Sequence, residues 1–70
     1  MKPMAKRLVL KALLRAGCLM QSDEGRHEKW VCPSECGKHS TAVPRHNKIT
    51  AGVIRGIIQD LKCLPEGWLQ

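Results

Sequence analysis

Gly25-Arg26-His27-Glu28-Lys29-Trp30-Val31-Cys32 alternates in polarity along its length. A period of two is the mark of a strand with one covered face. It sets His27, Lys29 and Val31 on one side and Glu28, Trp30 and Cys32 on the other, with the strand running from about Arg26 to Cys32. Upstream, Ser22-Asp23-Glu24-Gly25 reads as a polar turn, preceded by a short apolar strand from Cys18 to Gln21. Downstream, Pro33-Ser34-Glu35-Cys36-Gly37 reads as a hairpin loop, because Pro33 cannot donate to a ladder and Gly37 accepts unusual dihedrals. His39 to Val43 then returns as a third strand, ended by Pro44.

Helical periods flank these strands. From about Met4 to Ala16, Ala5, Val9, Leu13 and Ala16 recur at three and four, with Leu10 and Leu14 widening the stripe. Lys6, Lys11 and Arg15 fall outside it and read as a solvated face, and Gly17 suits a left-handed helix end. The second helix is the clearest element: Val53, Ile54, Ile57, Ile58 and Leu61 keep a 3.6-residue period, and Thr50 is its N-cap. Gly52 and Gly56 cost about 1 kcal/mol each against Ala, so their presence predicts close packing against the sheet or first helix, with an interface role as the alternative. Pro65, Trp68 and Leu69 in the tail are expected to cover one end of the core. The order is helix, three strands, helix. It predicts an α+β domain, α-β-β-β-α, with a three-stranded antiparallel sheet and both helices on one face.

Seventy residues are read as one domain, 1–70, without room for a second domain or a large cofactor. A chain of this size buries only about 60% of its unfolded surface, so a partner would add welcome stability. Twelve Lys+Arg against six Asp+Glu give a formal charge of +6, which favours phosphate-rich partners or acidic protein surfaces. With Trp30 and Trp68 as the sole aromatics, recognition by stacking several bases on aromatic platforms is disfavoured. Contact through phosphates, sugar hydroxyls and shape suits the composition better. Leu14-Arg15-Ala16-Gly17-Cys18 comes near a lipid-attachment box, but Lys11 and Arg15 interrupt the apolar run that export needs. No stretch approaches the ~18 apolar residues of a membrane span, so a cytoplasmic protein without membrane contact is expected. In that compartment a disulfide framework is not expected. Cys32-x-x-x-Cys36-x-x-His39 invites a zinc reading, but its spacing is looser than C-x-x-C and no fourth ligand is evident. The four cysteines are therefore read as ordinary thiols, Cys18 and Cys63 beside the core and Cys32 and Cys36 around a turn, with no metal.

Three short motifs now fall in order: Gly25-Arg26-His27 at a strand start, Val43-Pro44-Arg45-His46 at a strand end, and Gly52-Val53-Ile54-Arg55 in a helix. This combination, from roughly Lys6 to Leu69, resembles the HicA-type mRNA interferase toxins. Their pattern is Gly-x-His, Val-Pro-x-His and Gly-x-x-Arg. The element order likewise looks like the double-stranded-RNA-binding-domain fold, which is the fold of that family. The resemblance implies a ribonuclease toxin of a type II toxin–antitoxin system that cleaves mRNA, with His27 at the family's single functional histidine. It also implies a HicB-type antitoxin that covers the active face. Two departures stand out. Arg26 occupies the place where the family usually carries Ser, adding a cation beside the imidazole, and Val53 replaces a frequent Thr.

The chemistry fits such a scheme. RNA supplies its own nucleophile, the 2′-hydroxyl, so cleavage needs a base, an acid and positive charge at the phosphorane. Histidine titrates near neutral pH and can serve as acid or base, and cationic donors stabilise the phosphorane. No metal or small-molecule cofactor is required by this scheme, and no carboxylate cluster of the two-metal type is present. His27 is the catalytic candidate; Gly25 before it allows close approach by substrate, and Lys29 shares its face. Gly25, Arg26, Lys29, Arg45, His46 and Lys48 are the candidate RNA contacts, those in the loop Pro44–Thr50 aided by the N–H groups of the following helix. His39 is expected to face solvent without a role. The alternatives are a non-catalytic RNA-binding module of the same fold and a small adaptor that binds only protein.

Overall fold

The computed structural model describes residues 1–23, 25–32 and 39–70. The expected loop Pro33–Gly37 and the Glu24 position of the preceding turn lie outside the described residues. Three strands, β2 (Leu19–Ser22), β3 (His27–Val31) and β4 (Ser40–Pro44), form one antiparallel sheet in the order β2-β3-β4. The register of β3 on β4 runs from His27 opposite Pro44 to Val31 opposite Ser40. Beyond it the backbone N–H of Cys32 donates to the His39 carbonyl at 2.9 Å. The alternation read from the sequence holds: Glu28 and Trp30 are buried, His27 and Lys29 exposed, and β4 buries Thr41 and Val43 in phase.

Helix α1 (Lys6–Arg15) buries Val9 and Leu13, and α2 (Ala51–Asp60) buries Ile54 and Ile57. These four join Trp30, Cys32 and Val43 in one core, so both helices cover the same sheet face. A fully buried aliphatic side chain contributes about 1.5–3 kcal/mol. Helix α1 ends where Gly17 takes φ 88°, with the N–H of Gly17 on the Leu14 carbonyl and that of Cys18 on the Leu13 carbonyl. These two bonds make a Schellman motif. Thr50 caps α2 by accepting from the Val53 N–H at 3.3 Å.

Several expectations are corrected. Met4 and Ala5 are not the first turn of α1 but β1 (Met4–Ala5), which pairs antiparallel with β5 (Lys48–Ile49) in a second, two-stranded sheet. Two-residue strands are too short to show a period, so no sequence pattern announces them. Leu14 does not widen the buried stripe; it is 61% exposed. Gly52 and Gly56 are not there for close packing, since a Cβ at either would meet nothing within 4 Å. Leu69 covers the core as expected, while Trp68 is half-buried with its indole N–H buried and unpaired.

Candidate nucleic-acid interface

The start of β3 collects the residues singled out from the sequence. Gly25 takes φ 78°, a conformation L side chains rarely adopt, and so turns the chain into the strand. Its carbonyl accepts from Arg45 Nε at 3.0 Å, tying the β2–β3 turn to the residue after β4. Because His27 pairs with Pro44, Arg26 and His27 lie beside Arg45 and His46 at one end of the sheet. All four are exposed, as is Lys29, opposite Ala42 on the solvent face of β3. Gly25, Arg26, His27, Arg45 and His46 thus gather at one end of the sheet, with Lys29 two residues along on the solvent face of His27, while Arg45 reaches Glu28 on the covered side. Lys48 is exposed too, but it belongs to the second sheet, where it pairs with Ala5.

Beneath this surface is a group the sequence reading did not single out. The Glu28 carboxylate, 10% exposed, takes Lys6 Nζ at 2.5 Å and lies 3.7 Å from Arg45 Nη1, while its other oxygen accepts from Trp30 Nε1 at 3.3 Å. The Lys6 hydrogen bond, with the Trp30 bond and the charges of Lys6 and Arg45, holds the carboxyl below its ordinary range against the opposing effect of burial. Lys6 is therefore part of the site's foundation and not of a solvated face. Arg45 is divided between two tasks: it fixes Gly25 and Glu28, and its 40% exposed side chain leaves guanidinium donors toward solvent. The signal for Glu28 was present, as a carboxylate in phase with Trp30 and Cys32. On that face an ion needs a buried partner.

At the opposite end of the same strands, the expectation of four ordinary thiols fails. Cys63, in the turn after α2, is exposed and disulfide-bonded, whereas Cys18 and Cys32 are buried free thiols. Burial first, and then neighbouring Cys32, pushes the Cys18 thiol up from its ordinary range, which keeps it protonated. His39 is half-buried and not solvent-facing. The ligand atoms of Cys32, His39 and Cys63 all lie within 4.8 Å of one another. Cys63 is not legible as a companion of Cys32 and His39 because it lies 24 positions beyond the histidine, a separation that the packing of α2 on β4 closes. Cys36, the remaining member of the sequence motif, lies outside the described residues.

Known protein families, curated proteins and solved structures give no significant match to this chain. Among the described residues, no helix is long and apolar enough to cross a membrane.

Proposed function

We propose that the chain is a ribonuclease toxin of the HicA type, acting on mRNA with His27 as its acid–base group and restrained by an acidic HicB-type antitoxin. The observation that carries this reading is the exposed His27 at the head of β3. A positive-φ Gly25 precedes it, and Arg26, Lys29 and Arg45 share its end of the sheet. Apart from the short β1–β5 pair, the elements run α1-β2-β3-β4-α2 with both helices on one face, which fits the double-stranded-RNA-binding-like fold that the resemblance implies.

In this scheme a phosphate of the substrate rests on the cations around His27. The imidazole exchanges a proton with the 2′-hydroxyl or the departing 5′ oxygen, and Arg26, Lys29 and the outer nitrogens of Arg45 neutralise the phosphorane. A positioned acid–base group contributes about 10²–10⁴-fold. His46, exposed two residues beyond Pro44, is the second group available for proton transfer or phosphate contact. The route through the 2′-hydroxyl leaves a 2′,3′-cyclic phosphate and a 5′-hydroxyl.

Purified protein incubated with structured and unstructured RNA tests the reading. Cleavage with those ends, reduced at least about 100-fold in a folded His27→Ala variant, supports it. RNA retention without cleavage would assign a binding module of the same fold instead. Cleavage at wild-type rate by folded His27→Ala protein would remove His27 from the chemistry.

A further inference from the structure

The end of the sheet remote from His27 carries donors of a different chemical kind. The backbone bond from Cys32 to His39 closes the β3–β4 pairing and sets the two side chains at one end of the ladder. The end of α2 is held close by: Thr41 Oγ1 donates to Asp60 Oδ2 at 2.9 Å, and Leu61, next in the chain, is fully buried. Two residues further on, Cys63 enters the cluster. Hairpin and helix end are thus held against each other, and together they bring two sulfurs and an imidazole into one cluster.

We propose that in its reduced form this chain binds one zinc ion through Cys32, His39 and Cys63. Thiolate sulfur and neutral imidazole nitrogen are the donors zinc prefers, and a Cys2His set leaves the fourth tetrahedral position open. In a tetrahedral site, Zn–S of about 2.3 Å and Zn–N of about 2.0–2.1 Å put neighbouring donors roughly 3.5–3.8 Å apart. The present separations, within 4.8 Å, need adjustments of only about 1 Å to reach that. The fourth position falls to water. The chemistry balances simply. The Cys63 disulfide takes two electrons and two protons from a pair of small-molecule thiols, which leave as their own disulfide. Cys32 and Cys63 then each release one proton on ligating the ion, so their two thiolate charges cancel its own. Cys18 takes no part, since its buried sulfur is not among the clustered donor atoms.

The ion would join the β3–β4 hairpin to the end of α2, a cross-link between distant parts of a chain with little core to spare. It also lies far from the proposed chemistry. Five residue steps of extended chain lead from His27 to Cys32, roughly 17 Å at about 3.3 Å per step.

The test uses the full chain, kept reduced with a non-chelating phosphine and supplied with zinc or cobalt. Native mass spectrometry should find one zinc per chain. Cobalt should give the intense thiolate charge-transfer band and the visible bands of a tetrahedral site. Cys32→Ser and His39→Ala should each lose the stoichiometric ion, whereas Cys18→Ala and His27→Ala keep it. Chelation of the wild-type ion should lower the melting temperature by more than about 10 °C. A reduced wild-type chain that stays metal-free in excess zinc, or that binds cobalt without thiolate bands, overturns the proposal. Stoichiometric zinc in both Cys32→Ser and His39→Ala overturns it as well. Should those two variants fail to fold, the cobalt spectrum of the wild type decides. Zinc retention by His27→Ala separates this question from that of catalysis.

Discussion

Glu28 shows how one side chain underlies a surface it does not belong to. Its carboxylate joins α1 through Lys6, the strand end through Arg45 and the core through Trp30. The Lys6 bond, chief among these contacts, lowers its folded pKa below the ordinary value of 4.5, which is close to that of the unfolded chain. A carboxylate depressed in the folded state adds stability that is complete above the unfolded value and is lost as pH falls through the folded one. The protein should therefore lose stability below about pH 4.3, and Glu28→Gln should flatten that acid limb in denaturant titrations at several pH values. At neutral pH the same substitution leaves Lys6 without its anion. Breaking a buried pair costs about 3–5 kcal/mol, and because Lys6 is 17% exposed the lower part of that range is expected. A variant with an unchanged acid limb would show that Glu28 is not the group responsible. The alternation around Trp30 put Glu28 on the covered face. It did not tell which cations would meet it there, because Lys6 and Arg45 arrive from other elements.

At the scale of elements, regular periods were legible and irregular pairings were not. Both helices and β3 follow from their hydrophobic periods, β2 from a short apolar run and β4 from its place between the hairpin loop and Pro44, and the Thr50 and Gly17 caps follow from local chemistry. Thr50→Ala should cost about 1 kcal/mol, the usual loss for such a cap, read as a lower melting temperature. The β1–β5 pairing stayed hidden because two-residue strands carry no period and their register is set by the partner strand. The glycines of α2 were misread for a different reason: composition shows that a helix tolerates glycine but not whether anything lies beside it. Since a Cβ at Gly52 or Gly56 meets nothing within 4 Å, Gly56→Ala should stabilise the chain by up to about 1 kcal/mol, through helix propensity alone. A drop in melting temperature would mean that something outside this chain's own packing shapes that face. The candidate site divides along the same line. Gly25, Arg26, His27 and Lys29 are contiguous and were read together, whereas Cys63 joins Cys32 and His39 only through tertiary packing.

For the whole molecule the governing quantity is charge density, +6 on 70 residues. If mRNA and an acidic antitoxin both use the His27 face, binding of either should weaken with salt, RNA binding most steeply because each phosphate contact releases counterions. Not every cation on this face can test the idea. Reversing Arg45 would remove its bond to Gly25 and set a carboxylate near buried Glu28, confounding binding with folding. Nor can the tail serve as a ready apolar anchor, since Leu69 is buried and Trp68 half-buried against the core. Lys29 is exposed on the solvent face of β3 that His27 shares, so Lys29→Glu changes charge with little effect on packing, whereas Lys48 lies on the second sheet and serves as the control. A shared surface predicts that Lys29→Glu loses affinity for RNA and antitoxin together, with a shallower dependence of log K on log salt for both. Inhibition would then be steric cover of His27 and would need no conformational signal. Were RNA affinity to fall while antitoxin affinity and its salt dependence stayed at wild-type values, the partner would have to grip another face. The exposed side of α2, where Gly52 and Gly56 leave open space beside the backbone, offers the closest approach for one.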